Sequence, residues 1–327
     1  MTKFFGLLVV GVGCAEAFSQ TGAGFFGLGG RRNDAGLRLR ATARRALPAV
    51  GRCGGLGMVA TEAVKQEGDE LYQPMIDSLL SIFKEKGYDL APQELPSEDL
   101  AYRENVVGKG KREQLCSVTT DAYTTSKIRQ VRLAHVCGGK DLQVLNFCIF
   151  PDTNYALPSF SADLVTLPDK HLIAIDAQPN GPYSEHAYAD GGHLSGSFDR
   201  HKDKLPEGGE ISAARSDAKQ YMSKCFLWSK LPRDISDQDL VDAVLPAFED
   251  YMRSYLDLVD EAEELTDKEK LESVLDAQLR YAHYRIDKDP ARPVLTRMFG
   301  AEFTERLISD VLFDLPMKLG HKVEHSE

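Results

Sequence analysis

Five short, strand-like runs stand next to one another in this 327-residue chain, and they constrain its fold more than any other feature. Each run is rich in β-branched and aromatic residues and is bounded by Gly, Pro, Asp or Asn, the pattern of a β-strand between turns. The connections are a few residues long, which permits antiparallel hairpins but not the helical crossovers that parallel strands need. We therefore predict a meandering antiparallel sheet with strands at Gln114–Tyr123, Lys127–Cys137, Leu142–Phe150, Leu157–Thr166 and His171–Gln178.

Helical periodicity flanks this block of strands. Apolar residues at helical spacing predict a helix within Glu62–Lys86. After Pro179 the pattern becomes helical again, and two apolar stripes predict two long helices separated by a charge-rich turn at Asp260–Glu272. Strands followed by helices are typical of an α/β protein of the α+β type, built in layers.

The first 60 residues differ from the rest of the chain in charge. The chain has a net charge of −11, but residues 1–60 carry eight basic and two acidic groups, so the remainder has a net charge of −17. An apolar stretch from Phe4 to Cys14 and the A-x-A site Ala15–Ala17 have the layout of a secretory signal peptide, about residues 1–17, too short to span a membrane. The Arg-rich, acid-poor segment that follows has the composition of a transit peptide.

Together these segments resemble the bipartite plastid leaders of algae with secondary red plastids. We expect residues 1–60 to be disordered or removed, and residues 61–327 to form a single domain in the plastid stroma. Secretion with a basic pro-segment is the alternative.

Several classes of function lack their sequence signatures. The acidic balance argues against nucleic acid as a partner, because phosphates need clustered Lys and Arg. The six cysteines have neither C-x-x-C nor zinc-finger spacing, so we expect reduced thiols and no metal site. A G-x-G-x-x-G motif at a strand–helix junction is also missing, which leaves a nicotinamide or flavin site unsupported.

Two aspartates are candidates for chemistry. Strand alternation places Asp163 on the face opposite Phe160, where it meets either solvent or a cavity. By the same alternation, Asn146 shares a face with Val144 and Cys148. Asp289 precedes a proline, as the N-cap of a helix often does, so capping alone explains it.

Several motifs occur in a fixed order along residues 65–315. They are Leu-Pro-x-Phe from Leu157, Ala-Asp-Leu-Val-Thr-Leu-Pro from Ala162, His-Leu-Ile-Ala-Ile-Asp-Ala-Gln-Pro from His171, Phe-Leu-Trp-Ser-Lys-Leu-Pro from Phe226, and Tyr-Arg-x-x-Lys-Asp-Pro-Ala-Arg-x-x-Leu-Thr-Arg from Tyr284. In this order they resemble the ferredoxin-dependent bilin reductases.

The resemblance implies a three-layer α/β/α sandwich with a central antiparallel sheet, and a linear tetrapyrrole held between the sheet and the C-terminal helices. It implies no bound cofactor: a reduced [2Fe–2S] ferredoxin supplies single electrons, and bilin radicals are intermediates. The two catalytic aspartates of the family fall on Asp163 and Asp289. The sheet histidine of phycocyanobilin-forming members is replaced by Asn146, which argues against that activity.

Within the family, the sequence most resembles members that form phycoerythrobilin. The expected reaction is reduction of 15,16-dihydrobiliverdin at the A-ring diene, with Asp289 as the proton donor for that end and Asp163 as the central donor. A sister reductase acting on biliverdin, and a non-catalytic bilin-binding chaperone or lyase, are the alternatives. We expect the cavity to be closed by Phe160, Met298 and Tyr281, whose apolar surfaces favour the protonated form of a carboxyl group.

The expected partners carry charge that the domain must match. Candidate cations for the bilin propionates are Arg129, Arg132, Arg200 and Arg285. An acidic ferredoxin requires a basic patch, for which Lys109–Arg112 and Arg200–Lys204 are candidates. Another bilin reductase or a phycobiliprotein lyase is a candidate partner for pigment transfer, and we expect neither nucleic acid nor a membrane.

Overall fold

The computed structural model describes residues 71–110, 113–208 and 218–321. The predicted leader at residues 1–60 lies outside this part of the chain. Among the described helices, none is long and apolar enough to cross a membrane.

An antiparallel sheet forms the middle layer of the molecule. Its strands are β1 (Ala91–Pro92), β2 (Tyr102–Val107), β3 (Gln114–Thr125), β4 (Ile128–Cys137), β5 (Gln143–Pro151), β6 (Ser159–Thr166), β7 (Lys170–Gln178) and β8 (Leu227–Pro232). They follow the order β1-β3-β4-β5-β6-β7-β8, and β2 also pairs with β3. From β3 to β7 each strand pairs with the next in sequence, as the short connections predict.

All five predicted strands are present, with ends shifted by at most two residues. The prediction that the chain turns wholly helical after Pro179 is wrong at β8. This segment is only six residues long, and its buried Leu227, Ser229 and Leu231 alternate with half-buried residues. It becomes a strand because it pairs with the open edge of β7, a long-range contact that the local pattern does not contain.

Helices cover both faces of the sheet. Within the described residues they are α1 (Gln73–Glu85), α2 (Glu98–Ala101), α3 (His193–His201), α4 (Asp237–Glu261), α5 (Lys268–Lys288), α6 (Arg292–Phe299), α7 (Ala301–Arg306) and α8 (Leu315–Lys318), with a 3-10 helix at Pro182–Tyr188 and a π-helical turn at Leu307–Leu312.

The first helical layer contains α1, α3 and α4. Its core unites Phe83 of α1 and Phe248 of α4 with Phe147 and Phe160 of the sheet. Ser236 caps α4 by accepting a hydrogen bond from the Asp239 amide at 3.1 Å. The predicted apolar stripe of this long helix is buried here, because it faces the sheet.

The second helical layer contains α5, α6, α7 and the π-helical turn. It packs on the opposite sheet face, where Val136, Val144 and Val165 meet Leu295 and Ile308. The charge-rich turn predicted before α5 is confirmed, since α4 ends at Glu261 and α5 begins at Lys268. The three layers confirm the predicted α/β/α sandwich with a central antiparallel sheet.

Candidate active site

Two polar side chains face each other in the centre of the sheet. Asn146 of β5 and Asp163 of β6 are directly opposite in the antiparallel register, so their side chains leave the same face. The Asn146 amide donates a hydrogen bond to Oδ1 of Asp163. Asp163 is only 5% exposed, and the strand that carries it is buried along its whole length.

Arg132 of β4 lies beside Asn146 on the same face of the sheet. Its Nη1 donates to Oδ1 of Asn146 at 2.5 Å and lies 3.4 Å from the Asn146 carbonyl oxygen. The side chain is completely buried. Three neighbouring strands therefore supply a chain of contacts from a guanidinium through an amide to a carboxyl group.

The helical wall supplies the second carboxyl group. Asp289 is 6% exposed, and its Oδ2 accepts from Nη2 of Arg285 at 3.3 Å across one turn of helix. Oδ1 of Asp289 accepts from the Ala291 amide at 2.8 Å. Arg285 also donates to the Tyr281 hydroxyl at 3.2 Å, and its guanidinium lies over the Phe313 ring.

The expected N-cap role of Asp289 needs a correction. Asp289 is the C-cap residue that follows the last residue of α5, Lys288, while the next helix begins at Arg292 with Ala291 at its N-cap position. The carboxylate still accepts an otherwise unpartnered amide, but that amide belongs to the connection between the helices. Proline does occur early in α6, as Pro293 rather than Pro290.

Both aspartates line one cavity between the sheet and the second helical layer. It encloses about 560 Å³ outside the protein atoms, counting open solvent at its mouth. Four polar residues line it: Asn146, Asp163, Arg285 and Asp289. The other nine lining residues are apolar: Val118, Ala134, Val136, Val144, Val165, Ala291, Leu295, Leu307 and Leu312. A largely apolar cavity with a few convergent polar groups is typical of a small-molecule site.

A buried cation balances the carboxyl groups of this cavity. Burial lowers the pKa of Arg285, but Tyr281, Asp289 and Asp163 together raise it, so the net pKa lies above its ordinary value. Arg285 therefore carries a permanent positive charge at the cavity wall.

A third buried carboxyl group, that of Asp176 on β7, is bound by a loop and does not line the cavity. It pairs with Ser161 in the register, on the same sheet face as Asp163. Its Oδ2 accepts from the Ser223 amide at 3.0 Å and its Oδ1 from the Ser223 hydroxyl. Burial raises the pKa of Asp176 to about 7, although the Ser223 and Ala177 hydrogen bonds act in the opposite direction.

The remaining predicted site residues lie elsewhere. Arg129 pairs with Asp314 at 2.7 Å and stacks on Phe150, in the same layer but outside the cavity. Arg200 pairs with Asp250 at 2.8 Å in the opposite helical layer, so the structure does not bring it to the cavity. Of the four candidate arginines, only Arg285 lines the cavity.

The predicted cavity walls were partly wrong. Phe160 belongs to the core on the other face of the sheet, because neighbouring strand residues alternate faces. Tyr281 and Met298 pack in the same layer as the cavity but are not among its lining residues. The sequence reasoning missed Leu307 and Leu312 of the π-helical turn, and no local signal marks them as cavity residues rather than ordinary core.

The four cysteines in the described part of the chain are buried thiols. No disulfide joins Cys116, Cys137, Cys148 and Cys225. Burial raises the pKa of Cys148, which lies two residues after Asn146 on β5 and opposite Arg132 of β4. This agrees with the expectation of reduced core cysteines for these four residues.

Comparison with protein families identifies the class to which this fold and site belong. The model of the family described as ferredoxin-dependent bilin reductase matches residues 80–314. The chain belongs to this family and is an oxidoreductase that takes electrons from ferredoxin to reduce a linear tetrapyrrole.

Several curated relatives share one activity in their names. The chain is 42% identical over 259 residues to the phycoerythrobilin:ferredoxin oxidoreductase of Nostoc punctiforme, covering 76% of this chain and 95% of the relative. It is 43% identical over 249 residues to the enzyme of that name from a Synechococcus species, covering 76% and 92%. The crystal structure of tomato phytochromobilin synthase with biliverdin is similar, with a TM-score of 0.65 and 26% identity over 77% of this chain and 85% of that one.

Proposed function

We propose that this enzyme reduces 15,16-dihydrobiliverdin at the A-ring diene to phycoerythrobilin. The observation that carries the proposal is that Asp163 and Asp289 line the same largely apolar cavity. Relatives about 40% identical over three quarters of the chain bear the name of this activity. Ferredoxin supplies two electrons in separate steps, and two protons complete the reduction.

The two carboxyl groups act on different parts of the pigment. Each electron that enters the tetrapyrrole makes it more basic, so an acid must be in place when the radical forms. Asp163, in the centre of the sheet, donates to the middle of the bilin. Asp289, at the end of α5, donates towards the A-ring. The apolar lining excludes water and keeps each proton between donor and pigment.

The other polar residues orient the substrate. Arg285 lines the cavity with a permanent charge and is the arginine best placed for a propionate of the bilin. Asn146 takes the position where phycocyanobilin-forming members carry histidine. An amide donates and accepts hydrogen bonds but does not titrate, so Asn146 does not serve as a second proton donor beside Asp163.

A panel of bilins tests the reaction. Under anaerobic conditions with reduced ferredoxin, we expect 15,16-dihydrobiliverdin to be consumed and phycoerythrobilin to form, as followed by product absorbance. Formation of phycoerythrobilin from biliverdin alone would show a four-electron enzyme and contradict the proposal. Tight binding of bilins without turnover would favour a chaperone or lyase.

A second candidate function has one observation in its favour. The similar tomato enzyme was solved with biliverdin bound and is named phytochromobilin synthase. A biliverdin reductase acting at the A-ring would yield phytochromobilin in the same panel. At about 42% against 26% identity, the phycoerythrobilin-forming relatives are the nearer comparison, so we favour the first reaction.

The proposed location is the plastid stroma, where ferredoxin and pigment would be available. It is supported by the signal-like and transit-like composition of residues 1–60. A fluorescent protein fused after residue 60 should enter the plastid of an alga with a secondary red plastid, and a fusion after residue 17 should enter the secretory pathway. Secretion of the longer fusion would contradict this proposal.

A further inference from the structure

Arg132 is buried beside Asn146, on the face of the sheet that bears the cavity, with most of its hydrogen-bonding capacity unused. Its side chain is fully buried, and Nη1 contacts the side chain and backbone of Asn146. Among the described residues, no acceptor reaches its Nε or Nη2. A buried cation in this state costs free energy, so packing alone does not account for it.

This arginine determines the orientation of the Asn146 amide. The oxygen and nitrogen of an amide group are interchangeable in shape, so its orientation follows from its neighbours. A guanidinium only donates hydrogen bonds. The oxygen of Asn146 must therefore face Arg132, which turns the amide nitrogen towards Oδ1 of Asp163.

The orientation of the amide in turn selects between the two oxygens of Asp163. Oδ1 accepts a hydrogen bond from an N–H group, and a proton on the same oxygen would point at that donor. The acid form of Asp163 therefore carries its proton on Oδ2. When that proton leaves, the remaining carboxylate keeps the Asn146 hydrogen bond and the nearby positive charge.

We infer that Arg132 is a positioning residue for proton delivery: by holding the Asn146 amide, it makes Asp163 donate from Oδ2. The inference rests on the proposed function, in which Asp163 is a proton donor. In the step concerned, the Oδ2–H bond breaks as the proton bonds to the bilin radical, whose electron comes from ferredoxin. No other bond changes.

Two other roles for Arg132 predict different behaviour. A bilin-binding arginine would line the cavity, whereas the described lining includes Asn146 and Arg285 but not Arg132. A purely structural arginine would have its donors satisfied, and its loss would destabilise the fold.

The charged and titratable groups around Asp163 come from several elements. Besides Arg132 of β4, they are Cys148 of β5, Asp176 of β7, and Tyr281, Arg285 and Asp289 at the C-terminal half and end of α5. The residues of α6 and the π-helical turn that line the cavity are apolar. Changes at Arg132 leave all of these groups in place.

Three variants of Arg132 test the inference in the full-length enzyme. Arg132→Met keeps an apolar stem of similar shape but removes the charge and the donor. Arg132→Gln is neutral and can donate or accept, so it permits either orientation of Asn146. Arg132→Lys keeps a donor-only cation. Arg233→Met is the control, because Arg233 also has a buried Nε without a partner among the described residues but lies on the turn after β8.

The Arg132 variants are assayed with whichever bilin the wild-type enzyme reduces fastest. If that bilin is not 15,16-dihydrobiliverdin, the proposed substrate is wrong but the test of Arg132 still holds. We expect kcat to fall at least tenfold in Arg132→Met and Arg132→Gln, and less than threefold in Arg132→Lys. The bilin Kd should change less than twofold. Removing the Arg132 cation makes the ionised form of Asp163 less favourable. The alkaline limb of the pH profile of kcat should therefore move to higher pH in Arg132→Met and Arg132→Gln only.

An infrared difference spectrum provides a readout that does not depend on turnover. The protonated carboxyl band that Asp163→Asn removes should shift in Arg132→Met and keep its position in Arg132→Lys and Arg233→Met. An unchanged kcat, pH profile and band in Arg132→Met would overturn the inference. So would a tenfold rise in bilin Kd with unchanged single-turnover rate, because Arg132 would then bind the pigment.

Discussion

Asp163 reaches the cavity from the sheet and Asp289 from the second helical layer, and each is held by a neighbour with a defined hydrogen-bonding role. Asn146 donates to Asp163 across two strands, and Arg285 donates to Asp289 along one helix. These contacts restrict the rotation of both carboxyl groups. At the scale of single residues, the site is therefore arranged before substrate arrives.

Replacing Asp163 by asparagine tests its role in proton delivery. Asp163→Asn keeps the size of the side chain but has no acidic proton, so we expect kcat to fall about 100-fold or more. Bilin binding, measured by absorbance titration, should be retained. Asp169→Asn, in the exposed turn after β6, is the matched control and should keep full activity. Full activity of Asp163→Asn would rule out the assigned role.

Asp289 is expected to matter for stability as well as for rate. In Asp289→Asn the Ala291 amide keeps an acceptor, but buried Arg285 loses its charged partner, which should cost about 3 kcal/mol of unfolding free energy. Urea denaturation measures this loss. The control is Asp276→Asn, since Asp276 and Arg280 form an exposed pair of the same spacing on the same helix. Equal stability of the two variants would contradict the importance of the buried pair.

Among the structural elements, β7 carries a contact that holds the loop before β8. Asp176 receives both the amide and the hydroxyl hydrogen bonds of Ser223. Two residues earlier in this loop, Tyr221 packs edge-to-face on Tyr281 of α5. The loop is thus fixed to the sheet on one side and to the cavity layer on the other.

The burial of Asp176 predicts a dependence of stability on pH. Its pKa of about 7 in the folded protein is higher than in the unfolded chain, so the folded state binds the extra proton. This stabilisation is complete below about pH 4 and is lost as pH rises through about 7. Asp176→Asn cannot lose a proton, so its stability relative to wild type should improve by about 2 kcal/mol between pH 5 and pH 8.

Urea denaturation of both proteins at these two pH values measures the difference. Asp169→Asn serves again as an exposed control and should follow the wild-type curve. If the stability curves of wild type and Asp176→Asn run parallel from pH 5 to pH 8, Asp176 does not titrate in this range.

For the whole molecule, charge decides where an acidic ferredoxin can approach. Beyond residue 60 the chain carries a net charge of −17, so docking depends on a local basic surface. The candidate patch at Arg200–Lys204 is partly neutralised, because Arg200 pairs with Asp250 and Lys202 with Asp199. Lys109 is exposed in the β2–β3 connection. Its hairpin packs beside α6, since Asn105 donates to the Met298 carbonyl at 2.6 Å.

Charge reversal at Lys109 tests which patch ferredoxin uses. Lys109→Glu should raise the KM for ferredoxin about fivefold, with kcat unchanged at saturating ferredoxin, because long-range attraction acts mainly on association. Lys202→Glu, in the opposite helical layer, should have a smaller effect on this KM. Steady-state assays at low ionic strength measure both, and the opposite ranking would place the docking surface at Arg200–Lys204.

The sequence by itself determined the features that depend on neighbours along the chain. Strand alternation and short connections predicted the antiparallel sheet, and the same alternation placed Asn146 with Val144 and Cys148, as observed. The order of the motifs indicated the family. These features are local because hydrogen-bonded turns and residue periodicity act over a few residues.

Only the tertiary structure decided which of these residues form a site. Whether Asp163 met solvent or a cavity depended on the packing of the C-terminal helices more than 100 residues later. The sequence did not distinguish among the four candidate arginines, and only their partners in the structure do so. The pairs are Arg129 with Asp314, Arg132 with Asn146, Arg200 with Asp250 and Arg285 with Asp289. The cost of burying a charge depends on what surrounds it in space, so no local pattern distinguishes these arginines.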